Sequence, residues 1–266
     1  MRAASIALML AAAGTAIPAQ DLPQWVLNLA RIKRQARANF VHLPDYACHE
    51  TVERYQKLTP SGAFRQTDTL RLEVAVIGGK EMFAKAGAGQ FNVTDLTDIA
   101  SEGATGTGSF SALVDNLFVN DTGLTTGWAD DAVGDRRALR YDFSMSETMS
   151  GNIVSNGAAR ATTAVHGSFW ADASTFDLLR VEEHAVDIPP ALNMSDVTNI
   201  IDYQKTRVGA SEVLLPSRAE MVITEFSGRQ VRNVTTFSGC RQYGSDSVIH
   251  FDGPETEAPA PPPKKK

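Results

Sequence analysis

The sequence predicts a mainly β protein, an unclosed antiparallel β half-barrel of about ten strands with an N-terminal helix and one or two helices on its open side. Three observations predict this fold. Apolar and polar residues alternate over many short segments, which is the period of half-buried strands. Asp, Ser and Gly residues separate these segments as turns. A few stretches have helical spacing instead, and a sheet with this many strands is expected to curl around a core.

Both ends of the chain are expected to lie outside this fold. Residues 1–19 begin with the positive charge of Arg2, continue as a short apolar run, and end in small residues that allow cleavage after Ala19 or Ala16. This pattern predicts a signal peptide, and the alternative is a buried N-terminal helix. The absence of a cysteine at the cleavage point disfavours a lipid-anchored protein. Residues 253–266 are rich in proline and end in three lysines, which predicts a disordered tail that could contact an envelope partner or could simply be solvated.

Composition narrows the class of protein and its location. Residues 20–252 are expected to form a single half-barrel domain, and a hydrophobic fraction of 43% supplies an ordinary core. The net charge of −6 argues against nucleic-acid binding. No later stretch is long and apolar enough to form a transmembrane segment. Together with the predicted signal peptide, the lack of a transmembrane segment predicts a protein that is periplasmic or secreted.

Helical spacing marks two segments. After Asp21, a possible N-cap, and Pro23, expected in the first turn, apolar residues recur at Trp25, Leu29, Ile32 and Ala36, which predicts an amphipathic helix that covers one side of the sheet. A second helix is predicted after a cap at Ser109. Its apolar face comprises Phe110, Leu113, Val114, Leu117 and Phe118.

The clearest strand signals are a hairpin and the stretch after it in the chain. Leu70, Leu72, Val74 and Val76 alternate with other residues before the Gly78-Gly79 turn, which predicts a hairpin. The segments "TAVHGSFWAD" and "TFDLLRVEEHA", residues 163–185, read as two consecutive strands joined by the turn "ADAST". Asp172 is interpreted as a turn former, with a catalytic acid as the alternative. Trp170 would point into either a cavity or a filled core.

Cys48 and Cys240 are the only cysteines, and in an exported protein they predict one disulfide. The alternative is two unrelated buried thiols. If the bond forms, the first and last strands lie side by side.

Catalytic and metal-binding motifs are not recognisable in the sequence. It has no HExxH and no GxSxG motif, and "GATGTG" at residues 103–108 lacks the lysine of a phosphate loop. His166 and His184 could face each other across a hairpin. With Glu182 or Glu183 they would form a metal site or a hydrolase centre, or else a cross-strand polar pair. We expect no enzyme activity, cofactor or metal.

Four segments carry a family resemblance: "LPDYACHETVERY", "LRLEVAVIGGKEMFA", "GSFWADASTFDLLRVE" and "TTFSGCRQY". They resemble a group of uncharacterised secreted bacterial proteins, whose layout is similar to the periplasmic lipoprotein-carrier (LolA/LolB-like) superfamily. This resemblance implies an N-terminal helix and an open barrel around an apolar cavity, and it carries over no catalytic residue.

The resulting functional hypothesis is an exported, non-enzymatic protein that binds a hydrophobic or amphipathic ligand, such as a lipid or a lipoprotein acyl chain, between the sheet and the second helix. An envelope interaction module with a filled core is the alternative, and a hydrolase is a third. The candidate lining residues are Leu70, Leu72, Val74, Phe110, Leu113, Leu117, Phe118 and Trp170.

Overall fold

The computed structural model describes residues 22–88, 90, 91, 96, 112–157 and 159–244. The predicted signal peptide and C-terminal tail, the "GATGTG" stretch at residues 103–108, and the predicted helix caps Asp21 and Ser109 fall outside these residues. Phe110 also lies outside them.

Eleven strands are present among the described residues, close to the number predicted. They are Tyr46–Lys57 (β1), Arg65–Ile77 (β2), Lys80–Lys85 (β3), Leu124–Val133 (β4), Arg136–Met145 (β5), Asn152–Asn156 (β6), Ala159–Asp172 (β7), Leu178–Val186 (β8), Met194–Val208 (β9), Ser211–Glu225 (β10) and Gln230–Gln242 (β11).

The strands form one antiparallel sheet in the order β3-β2-β1-β11-β10-β9-β8-β7-β5-β4, and β6 pairs with β7. The end strands β3 and β4 do not pair with each other within the described chain, so the sheet is an open half-barrel, as the sequence predicts. Strands β1 and β11 are neighbours, and the disulfide between Cys48 and Cys240 joins them with an S–S distance of 2.04 Å. The predicted disulfide is confirmed.

The N-terminal helix α1 (Gln24–Val41) follows the predicted pattern. Ile32 and Ala36 are buried, and Trp25 and Leu29 pack against the core from its edge. Pro23 is the N-cap of α1, whereas the sequence predicted it in the first turn of the helix. Its carbonyl accepts hydrogen bonds from the backbone N–H groups of Val26 and Leu27.

Short helical segments complete the fold. The segment α2 begins as an α-helix at Ala112–Val114 and continues as a π-helical turn at Asp115–Val119. The segment α3 (Glu147–Ser150) links β5 to β6, and a 3₁₀ turn at Pro190–Leu192 precedes β9.

The two predicted turns form as expected. Gly78 and Gly79 both have positive φ, at 57° and 76°, as a two-residue hairpin turn requires. Asp172 Oδ1 accepts hydrogen bonds from the backbone N–H groups of Ser174 and Thr175, both at 2.9 Å. The interpretation of Asp172 as a turn former is confirmed.

The main hydrophobic cluster lies on the inner, concave face of the half-barrel. It takes side chains from β1–β3, β5 and β7–β11, and α1 and α2 pack against it. A smaller cluster lies on the outer face of β1–β3, where Ala75 is buried with Phe91 and the half-buried Tyr243 packs against them. The β2 strand therefore buries residues on both faces near its end, which the single apolar row in the sequence did not indicate.

Candidate functional site

The concave face is the candidate site, and Phe169 is at its centre. Phe169 is 0% exposed. Its ring lies 5.4 Å from Tyr141 in a stacked arrangement and 5.1 Å from Phe118 in an edge-to-face arrangement. Because Phe118 belongs to α2, this aromatic contact joins the helix to the floor of the sheet.

The α2 segment covers the concave face with few polar attachments. Leu113, Leu117 and Phe118 are buried against the sheet. On its other side, Asn116 Nδ2 donates a 2.8 Å hydrogen bond to the Ser150 carbonyl of α3. Apolar packing therefore supplies most of the contact between α2 and the sheet.

Most of the predicted lining residues meet in this cluster. Leu72 and Val74 are buried on β2, and Leu70 is half-buried on the same face. They belong to the same cluster as Leu113, Leu117 and Phe118 of α2.

Trp170 does not join them. Side chains alternate along β7, so Phe169 faces the core and Trp170 faces outward. The Trp170 Nε1 donates a 2.8 Å hydrogen bond to Asp131 Oδ2, and the Arg140 guanidinium lies 5.5 Å from the ring. Trp170 therefore fills neither a cavity nor the core, because it lies on the outer face of the sheet.

The histidine pair also lies on the outer face. His166 and His184 are register partners whose rings stack 5.1 Å apart. His184 is held on both sides, since its Nε2 is 3.1 Å from Glu182 Oε1 and its Nδ1 is 3.0 Å from Thr198 Oγ1. Among the residues that the structure describes, no group of three or more His, Cys, Asp or Glu side chains is arranged to hold a metal. The geometry is that of a cross-strand polar pair.

A row of polar residues, interrupted by Met221, crosses the concave face, and the sequence alone did not indicate it. The register pairs Arg54 with Asn233, Asn233 with Met221, Met221 with Asn199, and Asn199 with Glu183. Opposite partners in an antiparallel sheet project to the same side.

The ends of this row are buried and bonded. Arg54 makes a two-pronged contact with Asp68 of β2, and Glu183 accepts a 2.9 Å hydrogen bond from Asn199 Nδ2. Burial raises the pKa of Glu183, while the bond from Asn199 opposes that rise.

Glu50 is the second polar feature of the concave face. Its register partners are Leu72 on β2 and Phe237 on β11, and both belong to the main hydrophobic cluster. The residue is only 5% exposed, and its Oε2 has no hydrogen-bond partner among the described residues. Burial, assisted by the charge of Glu81, raises the pKa of Glu50 to about 8. The carboxyl group is therefore mostly protonated at neutral pH.

Tyr203 presents a second buried group to the same face. It is 5% exposed and its hydroxyl lacks a partner within the described part of the chain. Its ring packs edge-to-face against Phe40 of α1 at 6.2 Å. Burial, followed by the influence of Tyr46, Glu183 and Glu81, raises the pKa of Tyr203 well above its ordinary value.

Asp172, at the end of β7, is stabilised in its charged form. Its burial alone would raise the pKa, but hydrogen bonds from Ser174, Thr175 and Arg136 outweigh that effect and hold the pKa of Asp172 well below its usual range. A carboxylate so firmly ionised suits a structural turn, not a proton donor.

Comparisons with known proteins give no family assignment. No protein-family model and no curated protein matches the chain. Among solved structures, the chain is similar to a LolA superfamily protein from Nitrosomonas europaea, with 12% identity and a TM-score of 0.42 over 81% of this chain and 93% of that one. It is also similar to a DUF1329 family protein from Desulfovibrio piger, with 12% identity and a TM-score of 0.41 over 84% and 93%.

A third likeness is to MucB in complex with MucA(peri), with 11% identity and a TM-score of 0.20 over 84% of this chain and 99% of that one. The first of the three belongs to the superfamily whose layout the sequence resembles. Because the identities and TM-scores are this low, we base neither family nor function on them. The class of the protein, an open antiparallel half-barrel with helices on its concave side, rests on its own strand order.

None of the helices in the described ranges is long and apolar enough to span a bilayer.

Proposed function

We propose that this protein is an exported, non-enzymatic binding protein that holds a hydrophobic or amphipathic ligand, such as a lipid or a lipoprotein acyl chain, between its concave face and α2. One observation carries the proposal. The main apolar surface of the sheet, around Phe169, is covered by α1 and the short segment α2 and not by another layer of sheet.

The ligand would replace contacts that α2 now makes. Burial of acyl surface stabilises the complex by about 25 cal/mol per Å². Displacement of Phe118 from Phe169 exposes apolar surface that the ligand covers in turn, so the net cost of opening is small. The π-helical turn at Asp115–Val119 supports this role, since such turns are frequent at functional sites.

The disulfide supports export, because such bonds persist in oxidising compartments. Export also agrees with the signal peptide that the sequence predicts. N-terminal sequencing of protein recovered from the periplasm or the medium tests this part of the proposal. A start near residue 17 or 20 supports export, and recovery from the cytoplasm with Met1 retained contradicts it.

Calorimetric titration with dodecanol, a neutral single-chain probe, tests the binding proposal. Leu70→Asn places a polar group on the concave face, whereas Thr69→Asn makes a similar change on the opposite face of the same strand. We expect Leu70→Asn to weaken dodecanol binding about tenfold, by the loss of roughly one buried aliphatic contact, and Thr69→Asn to leave it unchanged. Absence of dodecanol binding to the wild-type protein, or equal loss in both variants, contradicts the proposal.

A further inference from the structure

The buried Glu50 carboxyl has one oxygen, Oε2, that makes no hydrogen bond within the described part of the chain. An unpartnered polar group buried among apolar side chains costs stability, and folds normally bond such groups internally. Glu50 lies between Leu72 and Phe237 with its Oε2 unpartnered among the described residues. A leucine at this position would fill the same space at lower cost, so the carboxyl group points to a ligand.

The groups around Glu50 define the charge of that ligand. Glu81 is on β3, opposite Val76, which in turn pairs with Tyr46 of β1, so all three face the concave side. The other titratable groups that act on this set are Asp115 of α2, Glu183 of β8 and Tyr203 of β9.

The cations described on this face include Arg54, which is bound to Asp68, and Lys85 of β3, which is the register partner of Leu72 and is exposed. Because Arg54 is paired and Lys85 is exposed, the buried titratable groups around Glu50 are acidic, and they favour a cation over an anionic headgroup. The net charge of −6 acts in the same direction at longer range.

We propose that Glu50 is the headgroup-binding residue of the concave site and that the ligand is an amphiphile carrying a protonated amine. The amine donates a hydrogen bond to the Glu50 carboxylate, and the alkyl chain lies on the apolar surface toward Phe169. This inference rests on the proposed function, since it names the headgroup of the same ligand.

Binding of the amine moves a proton. The Glu50 carboxyl must release its proton to pair with the ammonium group, so binding is coupled to proton release. An alkylamine resembles the lysine side chain, whose pKa is about 10.4, and stays charged well above neutral pH. Its affinity should therefore rise roughly tenfold per pH unit below about pH 8, where Glu50 itself titrates.

Three probes of equal chain length test the headgroup: dodecylamine, dodecanol and laurate. Each is titrated by calorimetry below its aqueous solubility limit and, for the two ionic probes, below the micellar concentration. The variants are Glu50→Gln, which removes the ionisable group from the buried position, and Glu212→Gln, which removes an ionisable carboxyl from an exposed position on β10. Dodecanol binding serves as the check that each variant is folded and retains the apolar site.

We expect the wild-type protein to prefer dodecylamine over dodecanol by about tenfold or more, as charge-assisted hydrogen bonds are strong, and to bind laurate most weakly. Glu50→Gln should abolish the preference and its pH dependence while retaining dodecanol binding, and Glu212→Gln should change neither.

The two proposals fail in different ways. If dodecanol binds but dodecylamine is not preferred, or if Glu50→Gln and Glu212→Gln reduce the preference equally, the assignment of Glu50 is overturned and the proposed function stands. If none of the three probes binds the wild-type protein, the proposed function itself is overturned, and the assignment of Glu50 with it.

Discussion

Replacement of Glu50 by glutamine should make the protein more stable, and the gain should grow with pH. Glutamine has nearly the same shape as glutamate but carries no charge. The buried carboxyl of Glu50 titrates at about 8 in the folded protein, against an ordinary value of 4.5. The folded state therefore binds a proton that the unfolded state has already released at neutral pH.

The size of the effect follows from these two values. An acid whose pKa rises on folding destabilises the folded state progressively as the pH increases from its unfolded to its folded pKa. Each unit of pKa difference corresponds to about 1.4 kcal/mol. Between about pH 5 and about pH 7, the wild-type protein should lose about 2.5 kcal/mol of unfolding free energy relative to Glu50→Gln.

Urea unfolding at the two pH values measures this difference directly. Glu212→Gln serves as the control, because it removes the same charge from an exposed position. The reasoning is refuted if the stability difference between the wild-type protein and Glu50→Gln is the same at both pH values, or if Glu50→Gln is the less stable protein at pH 7.

Four further predictions concern the rest of the fold. Gly167→Ala should destabilise the protein by about 3 kcal/mol in urea unfolding, because a Cβ at this position would lie 2.0 Å from the Glu182 carbonyl oxygen; stability within error of the wild type would contradict the strand geometry at Gly167. Asp172→Asn should lower the free energy of unfolding by about 2 kcal/mol near neutral pH. Because the pKa of Asp172 is lowered on folding, the stability difference between the wild type and Asp172→Asn should shrink as the pH falls below about 4. A difference that stays the same in acid would exclude the charge of Asp172 as its cause. Replacement of Cys48 and Cys240 together by serine should cost roughly 5 kcal/mol through the long loop that the bond closes, and a thermal unfolding midpoint that stays unchanged would refute this. Deletion of residues 253–266 should leave dodecanol binding unchanged, and a loss in calorimetry would give the tail a role in the site.

The sequence predicted the elements of this fold well because the period of a strand is visible in its residues. The β2–β3 hairpin, the apolar face of α1 and the Asp172 turn are local features, determined by alternation, helical spacing and turn chemistry. The Cys48–Cys240 pair added one long-range constraint, which placed β1 beside β11.

The site was harder to predict because it depends on which face is concave. Alternation separates Phe169 from Trp170 but does not say which of the two faces inward. The neighbours Val165 and Ala171 favour Phe169 as the inward residue, since they share its face and are small or apolar. The sequence signal for the correct residue was therefore present.

The polar features of the concave face had a weaker signal. Glu50 lies in a strand where polar residues predominate, although Cys48 and Val52 share its face and are apolar, and its burial results from its pairing with β2 and β11. Likewise, Arg54, Asn233, Asn199 and Glu183 come from four strands that are distant in the chain. Only the register of the sheet places them in one row.

The most direct test of the central claim, that the concave face holds an apolar chain, is native mass spectrometry of the protein purified without detergent from the cells that make it. The account predicts a population heavier than the bare chain by the mass of one amphiphile. That excess should be released on denaturation and should be reduced in Leu70→Asn but not in Thr69→Asn. A spectrum of the bare chain alone, together with no uptake of added dodecanol, would contradict it.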